Sequence, residues 1–515
     1  MTAEPQFGKV RSFLWPIWGH ELRKFIPMFI LFFLVFLNYH LLRITKDSLI
    51  ITASQAGAEA IPFLKVWAML PTAIIFVFLF TRLSNKFNRE NIFYIMTSIF
   101  ISFFLLFTFY FYPYRDTMYL NKTADFLQSI LPQGFRGFVA IIRYWMFSLF
   151  YVMAESWSNI MVSVMLWGFA NDVTSVKEAK RFYALFGIGL NASGILAGWL
   201  GAYLASTMQG SINITKYTIS SIATFLGCKT TWDESFLSFM AIIIIIGFIV
   251  LALHRYLYSY IFPEHRLKAN TWNEKKKMSL TDSFKCIIQD KYLMCIALIV
   301  LSYHIIINFT EVLWKAQIYE RYPNPAAYTT YFSNVTLCVG IIATIGSFLI
   351  TGNIIRRLGW KFTAYITPII FIITSIGFFY FLFAKQYFPS MSNVIITTLG
   401  MTPLTLTVFF GSLQNCLGRS AKYTVYDATQ QMAFIPLSIE DRVRGKAAID
   451  GVGSRLGKSA SSLIMQFLIV TCASAIGSSP YILMIMAVIL VVWMTSIKFL
   501  GKRFTAITEN TSSTA

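Results

Sequence analysis

The chain has 515 residues, of which 56% are hydrophobic, 17% aromatic and only 13% charged. Soluble proteins carry about 25% charged residues, so a string of soluble domains of this length is excluded: there is too little charge to coat them. The formal net charge of +20, from 43 basic and 23 acidic residues, does not indicate nucleic-acid binding, because the basic residues gather in alternate loops between apolar stretches rather than on one domain.

Residues 1–24 carry Trp15-Pro16 and the patch Glu21-Leu22-Arg23-Lys24. They show neither a signal-peptide cleavage site nor the Ser- and Arg-rich character of an organelle transit peptide. A bacterial inner membrane is the expected location, and membrane lipid the expected surroundings.

Apolar stretches long enough to cross ~30 Å of hydrocarbon follow in series. The first half predicts crossings at Phe25–Arg43, Ile61–Thr81, Asn91–Tyr112, Phe138–Ala170, Tyr183–Thr207 and Phe236–Phe262. The second half predicts Tyr292–Leu313, Tyr328–Gly352, Lys361–Phe383, Ser392–Leu417, Ala447–Cys472 and Tyr481–Leu500. The stretch Phe138–Ala170 is too long for a perpendicular crossing and is expected to tilt or protrude. Between the tenth and eleventh crossings, Ser420–Arg444 mixes Tyr423, Tyr426, Phe434, Ile435 and Leu437 with polar residues. Interfacial helical structure is expected there.

Lysine and arginine orient this set. One side collects Arg23/Lys24, Arg82/Lys86/Arg89, Lys177/Lys180/Arg181, Lys275/Lys276/Lys277, Arg356/Arg357/Lys361, Arg442/Arg444/Lys446 and Lys498/Lys502/Arg503. The other side is sparser and takes Lys46, Lys122, Lys216 and Lys315 as loop residues. The rich side is expected to be cytoplasmic, with both termini on it.

The longest basic connection, 263–291, divides the chain into 25–262 and 292–500 and leaves a tail at 501–515. Asn38-Tyr39 near the end of the first crossing matches Asn308-Phe309 near the end of the seventh. Lys86–Glu90 after the second matches Arg357–Lys361 after the eighth, again at an offset of about 270 residues. The expected fold is an all-α membrane protein with about twelve transmembrane helices in two six-helix halves, similar to major-facilitator transporters.

Charges inside these spans are costly and therefore functional candidates. Glu155 lies mid-span, Glu311 toward the outer part of the seventh crossing, and Lys446 and Asp450 share one helical face at i,i+4. Arg43 and Arg143 lie nearer helix ends, where long side chains reach the interface. Cations in an apolar cavity suit a phosphate-bearing substrate, and glutamates beside them hold the cations when substrate is absent or bind a coupling proton. Glu155 is the proton candidate, with His40 second.

Other signals carry little. Gly453–Ser459 is one residue short of a P-loop and lacks the preceding strand. The five histidines are scattered, so no metal or other cofactor is expected. None of the six cysteines forms a C-x-x-C pair; a bridge between Cys228 and Cys472 stays open.

Several longer motifs have a common likeness. They are Asn38-Tyr39 with Leu41-Leu42-Arg43, Thr45-Lys46-Asp47, Ala58–Lys65, Tyr151–Glu155, Trp167–Asn171, Glu178–Tyr183, Glu311-Val312 with Trp314-Lys315, and Gly445–Asp450. In these the chain resembles the nucleotide transport protein family, the ATP/ADP translocases of plastids and obligate intracellular bacteria. The resemblance runs from Phe7 to about Leu500. It implies ATP/ADP exchange without enzymatic turnover, a source in an obligate intracellular bacterium, and transport roles for Lys46, Glu155, Glu311 and Lys446. One departure is Tyr426–Phe434, where Gln430-Gln431 replaces the Lys-Glu pair usual in the family's exchangers. Proton-coupled import of other nucleoside triphosphates, such as GTP, UTP or CTP, is the alternative. A membrane-embedded transferase is the distant one, since the chain has no acidic or histidine motif suited to that chemistry.

Overall fold

The computed structural model describes residues 11, 15–53, 57–207, 230–263, 290–349, 351–437, 445–446, 449 and 454–512, and among them every regular element is helical. Twelve helices among the described residues set the architecture. In the first half they are α1 (Leu22–Ala53), α2 (Met69–Ser84), α3 (Arg89–Leu106), α4 (Trp145–Trp157), α5 (Val176–Thr207) and α6 (Thr231–Tyr256). In the second they are α7 (Lys291–Arg321), α8 (Pro325–Leu349), α9 (Thr351–Tyr387), α10 (Pro403–Ala421), α11 (Ser454–Cys472) and α12 (Ser479–Ser512). Among the described residues, ten helical stretches are long and apolar enough to cross a membrane, or eleven if the bent pair around α10 is one span. This agrees with the expectation of about twelve; the described part of the eleventh, α11, with Lys458 in its first turns, is too polar to be counted.

Three predicted spans are corrected. The crossing drawn at Phe25–Arg43 ends ten residues too early, because nothing between Leu41 and Ala53 breaks the helix. At 1.5 Å per residue, those residues carry Lys46 and Asp47 into the bundle instead of leaving them in a loop.

The crossing drawn at Ser392–Leu417 is two helices, Pro389–Leu399 and Pro403–Ala433, bent by 78°. Gly400 ends the first at a φ of +65°, a conformation glycine adopts without a Cβ penalty. Thr402 and Pro403 then start the second, Thr402 accepting from the Thr405 amide.

The long Phe138–Ala170 stretch is not one continuous helix. It separates at Tyr144 into Arg136–Arg143 and α4, and the crossing continues through a wide π segment, Ser158–Leu166, and Trp167–Val173.

The aromatic stretch after α10 is helical as expected over Lys422–Tyr426 and Asp427–Ala433, where it extends that helix; Tyr426 and Phe434 are buried and Ile435 is exposed. The Tyr426 hydroxyl donates to the Ile299 carbonyl, and the Trp360 indole to the Thr429 carbonyl. Residues 438–444 lie outside the described residues, as does nearly all of the 263–291 connection. The segment drawn as a tail from 501 is helical as far as Ser512. Cys472 is a free thiol, while Cys228 lies outside the described residues.

The two halves meet mainly along α5 and α8. The approach is close: a Cβ on Gly198 would lie 2.4 Å from the Leu337 backbone nitrogen. Small residues at such crossings let backbones approach. A second junction seals the end of the bundle where α1 finishes and α2 begins. There the Glu59 carboxylate accepts from the Ala475 amide at 2.7 Å, and the Gln466 amide donates to the Pro62 carbonyl at 2.8 Å.

Gly198→Ala is expected to lower the melting temperature of the detergent-purified protein, since overpacking costs about 1–3 kcal/mol. Gly187→Ala, on the same helix with open space at its Cβ, should leave it unchanged or raise it. Equal melting temperatures for the two variants would contradict the close α5–α8 packing.

Candidate functional site

The site is built on the inner face of α1. Arg43, Lys46 and Asp47 fall at i, i+3 and i+4, so one helical face presents all three. Asp47 is fully buried and accepts two lysines, Lys46 at 3.0 Å and Lys315 of α7 at 2.8 Å. Lys46 also lies 3.3 Å from Glu155 of α4 and 3.8 Å from the centre of the Tyr151 ring, an arrangement that favours a cation.

On α7, Glu311 and Lys315 pair at i,i+4 with 2.9 Å between them. The other Glu311 oxygen is 2.9 Å from the Arg419 guanidinium of α10, and Arg43 approaches at 3.6 Å. Asp47–Lys315 and Arg43–Glu311 therefore join the halves through α1 and α7.

Lys65 completes the group. It lies on a wide π turn, Leu64–Ala68. That turn immediately precedes α2, where Pro71 has no N–H to donate to the Trp67 carbonyl. The ammonium donates to the Asn308 side-chain carbonyl, and the Asn308 amide donates to Ser461 and Ser462 of α11 at 2.8 and 3.2 Å.

Five cations, Arg43, Lys46, Lys65, Lys315 and Arg419, thus stand with three carboxylates, Asp47, Glu155 and Glu311. At ordinary ionisation the cluster is positive.

Exposure divides it into two tiers. Side chains of Asp47, Lys315 and Lys46 are 1%, 3% and 5% exposed. Those of Arg43, Glu311, Arg419 and Glu155 are 13%, 14%, 16% and 31% exposed. The first tier is sealed, and the second is the more accessible.

The structure brings together four predicted residues: Arg43, Lys46, Glu155 and Glu311. Lys446 is exposed and makes no ion pair among the described residues; Asp450 lies outside them. Arg143 does not join the cluster. It belongs to an outer layer, bonded to Asn121 at 3.1 Å and Asp125 at 2.5 Å on the short helix Asn121–Ile130. The break at Tyr144 directs it there. His40 packs beside Tyr39 and over Gly194 of α5, and no carboxylate pairs with it among the described residues.

Four members were not assigned from sequence: Asp47, Lys65, Lys315 and Arg419. The expectation that Lys46 and Lys315 are outer-loop residues is corrected by their burial. The i,i+4 spacing of Glu311 and Lys315 was a usable signal once α7 was drawn long enough. Arg419 lies two residues past the predicted end of the tenth crossing at Leu417, outside both the crossing and the interfacial stretch, and no motif singles it out.

Residues 1–504 match the family described as TLC ATP/ADP transporter. The chain belongs to that family. It is 41% identical over 515 residues to ADP,ATP carrier protein 1 of Chlamydia trachomatis, covering 98% of this chain and 93% of the relative. It is 38% identical over 488 residues to the chloroplastic ADP,ATP carrier protein 1 of Arabidopsis thaliana, covering 94% and 74%. Among solved structures, a bacterial homologue of the human lysosomal transporter Spinster, inward-facing and unoccupied, aligns with a TM-score of 0.50. That alignment covers 95% of this chain and 97% of the other at 11% identity, and it shows a shared fold alone.

Asp47→Leu is expected to destabilise this family member by about 3–5 kcal/mol, because it leaves buried lysines without their carboxylate. Asp47→Leu with Lys315→Met should recover part of that loss. Thermal unfolding in detergent measures both, and a double variant less stable than Asp47→Leu would contradict the pairing.

Proposed function

We propose that the chain exchanges ATP for ADP across a bacterial inner membrane by alternating access of two six-helix halves, 25–262 and 292–500, with both termini cytoplasmic. The observation that carries this reading is the central excess of cations over carboxylates. A polyphosphate supplies the missing negative charge. Membership in the TLC ATP/ADP transporter family and the carrier relatives support the choice of nucleotide.

In the empty cavity Glu155 and Glu311 hold the cations. Substrate phosphates displace them, and charge-assisted hydrogen bonds of about 1.5–3 kcal/mol each reward that displacement. Lys46 and the exposed Lys446 add positive charge to the path. Because Asp47–Lys315 and Arg43–Glu311 join the halves, the empty carrier is latched, and bound nucleotide releases it. Coupling of outward and inward steps follows from that latch. The nucleotide crosses unchanged, so the protein acts as a carrier and not as an enzyme.

A second reading, proton-coupled import of other nucleoside triphosphates, draws on one observation. Glu155 is the most exposed of the three carboxylates, and its one ion pair among the described residues is with Lys46. It is the group placed to take up and release a proton, with His40 the next candidate.

Purified protein in proteoliposomes separates the two. Exchange predicts uptake of labelled ATP into vesicles preloaded with ADP, almost none into empty vesicles, and little direct effect of an uncoupler. Robust uptake into empty vesicles that an uncoupler abolishes would reverse the assignment in favour of symport.

A further inference from the structure

Glu311 holds three cations at once. Arg43, Lys315 and Arg419 lie 3.6, 2.9 and 2.9 Å from its oxygens. A carboxylate has about four lone-pair sites, so the geometry is possible, but its single charge balances only one of them. Lys315 has Asp47 as a second carboxylate at 2.8 Å. Arg43 and Arg419 have no second carboxylate among the described residues. They are also the cations of this group in the accessible tier, one from each half. Beyond Glu311, Arg419 donates from Nε to Asn415 at 3.4 Å, a neutral partner.

A guanidinium offers five N–H donors in a planar fork that matches phosphate oxygens as well as carboxylate oxygens. Glu311 therefore occupies the position on Arg419 that a phosphate group would take. We infer that Arg419 is a phosphate-binding residue of the transport site, whose partner changes from Glu311 to the nucleotide polyphosphate when substrate enters. This rests on the exchange reading above and adds a residue from α10 to it. With Arg43 on the same polyphosphate, the substrate links α1 to α10 across the cavity.

The competing role is a counter-ion that does no more than neutralise Glu311. Arg419→Gln, Arg419→Lys and the double variant Arg419→Gln/Glu311→Gln separate the two. The assay is ADP-loaded proteoliposomes, read as apparent affinity for labelled ATP and as inhibition by inorganic tripolyphosphate. Phosphate binding predicts at least a tenfold loss of apparent ATP affinity in Arg419→Gln, with a parallel loss of tripolyphosphate inhibition. Arg419→Lys keeps the charge beside Glu311 but loses the fork, so a smaller loss in the same two readouts is expected. The double variant should not recover.

Recovery of both readouts in the double variant would establish the counter-ion role and overturn the inference. Wild-type affinity in Arg419→Gln or in Arg419→Lys would also overturn it. Wild-type vesicles that exchange no nucleotide would instead overturn the exchange reading, a distinguishable failure.

Discussion

Burying an ammonium or a carboxylate away from water costs several kcal/mol unless an opposite charge comes with it. The centre of this bundle buries Lys46, Asp47 and Lys315 together, and much of the architecture follows from keeping them in reach of one another. Helix α1 must run to Ala53 to carry two of them inward. Helix α7 must run to Arg321 to bring Lys315 opposite. Each half alone would leave part of this group unpaired, so the ion pairs act on the junction between halves as well as on local stability.

That constraint makes the closed junction dependent on charge, which a polyanion is suited to change. Hydrophobic packing along α5 and α8 holds the halves together without reference to substrate. The pairs between α1 and α7 are different, because their partners can be exchanged for phosphate. The graded exposure, from the sealed Asp47–Lys315 pair to the accessible Arg43, Arg419 and Glu311, orders this exchange. On the proposed exchange reading, substrate would reach the outer tier first and act through Glu311, which also holds Lys315.

Composition and periodicity were sufficient for an all-helical membrane bundle, because a chain with so few charges has little other means of satisfying its backbone in lipid. The cost of mid-span charge was sufficient to pick Glu155 and Glu311. What could not be read was which charges near helix ends turn inward. Lys46 and Lys315 look like loop lysines until the lengths of α1 and α7 are known, and two of their partners, Glu155 for Lys46 and Asp47 for Lys315, are far away in sequence. Arg143 lies apart from the cluster for the opposite reason: the break at Tyr144 turns it to the helix Asn121–Ile130. The bend at Gly400 had a glycine and a nearby Pro403 as signals, but an apolar run on both sides concealed it.

The central claim is that nucleotide phosphates bind among the cations that Glu155 and Glu311 hold in the empty carrier. A cryo-electron-microscopy reconstruction of the purified protein with ATP tests it most directly. The account predicts polyphosphate density in the cavity beside Arg43 and Arg419, with the Glu311 carboxylate withdrawn from Arg419. Polyphosphate density elsewhere in the bundle, with the Glu311–Arg419 pair intact, would contradict it.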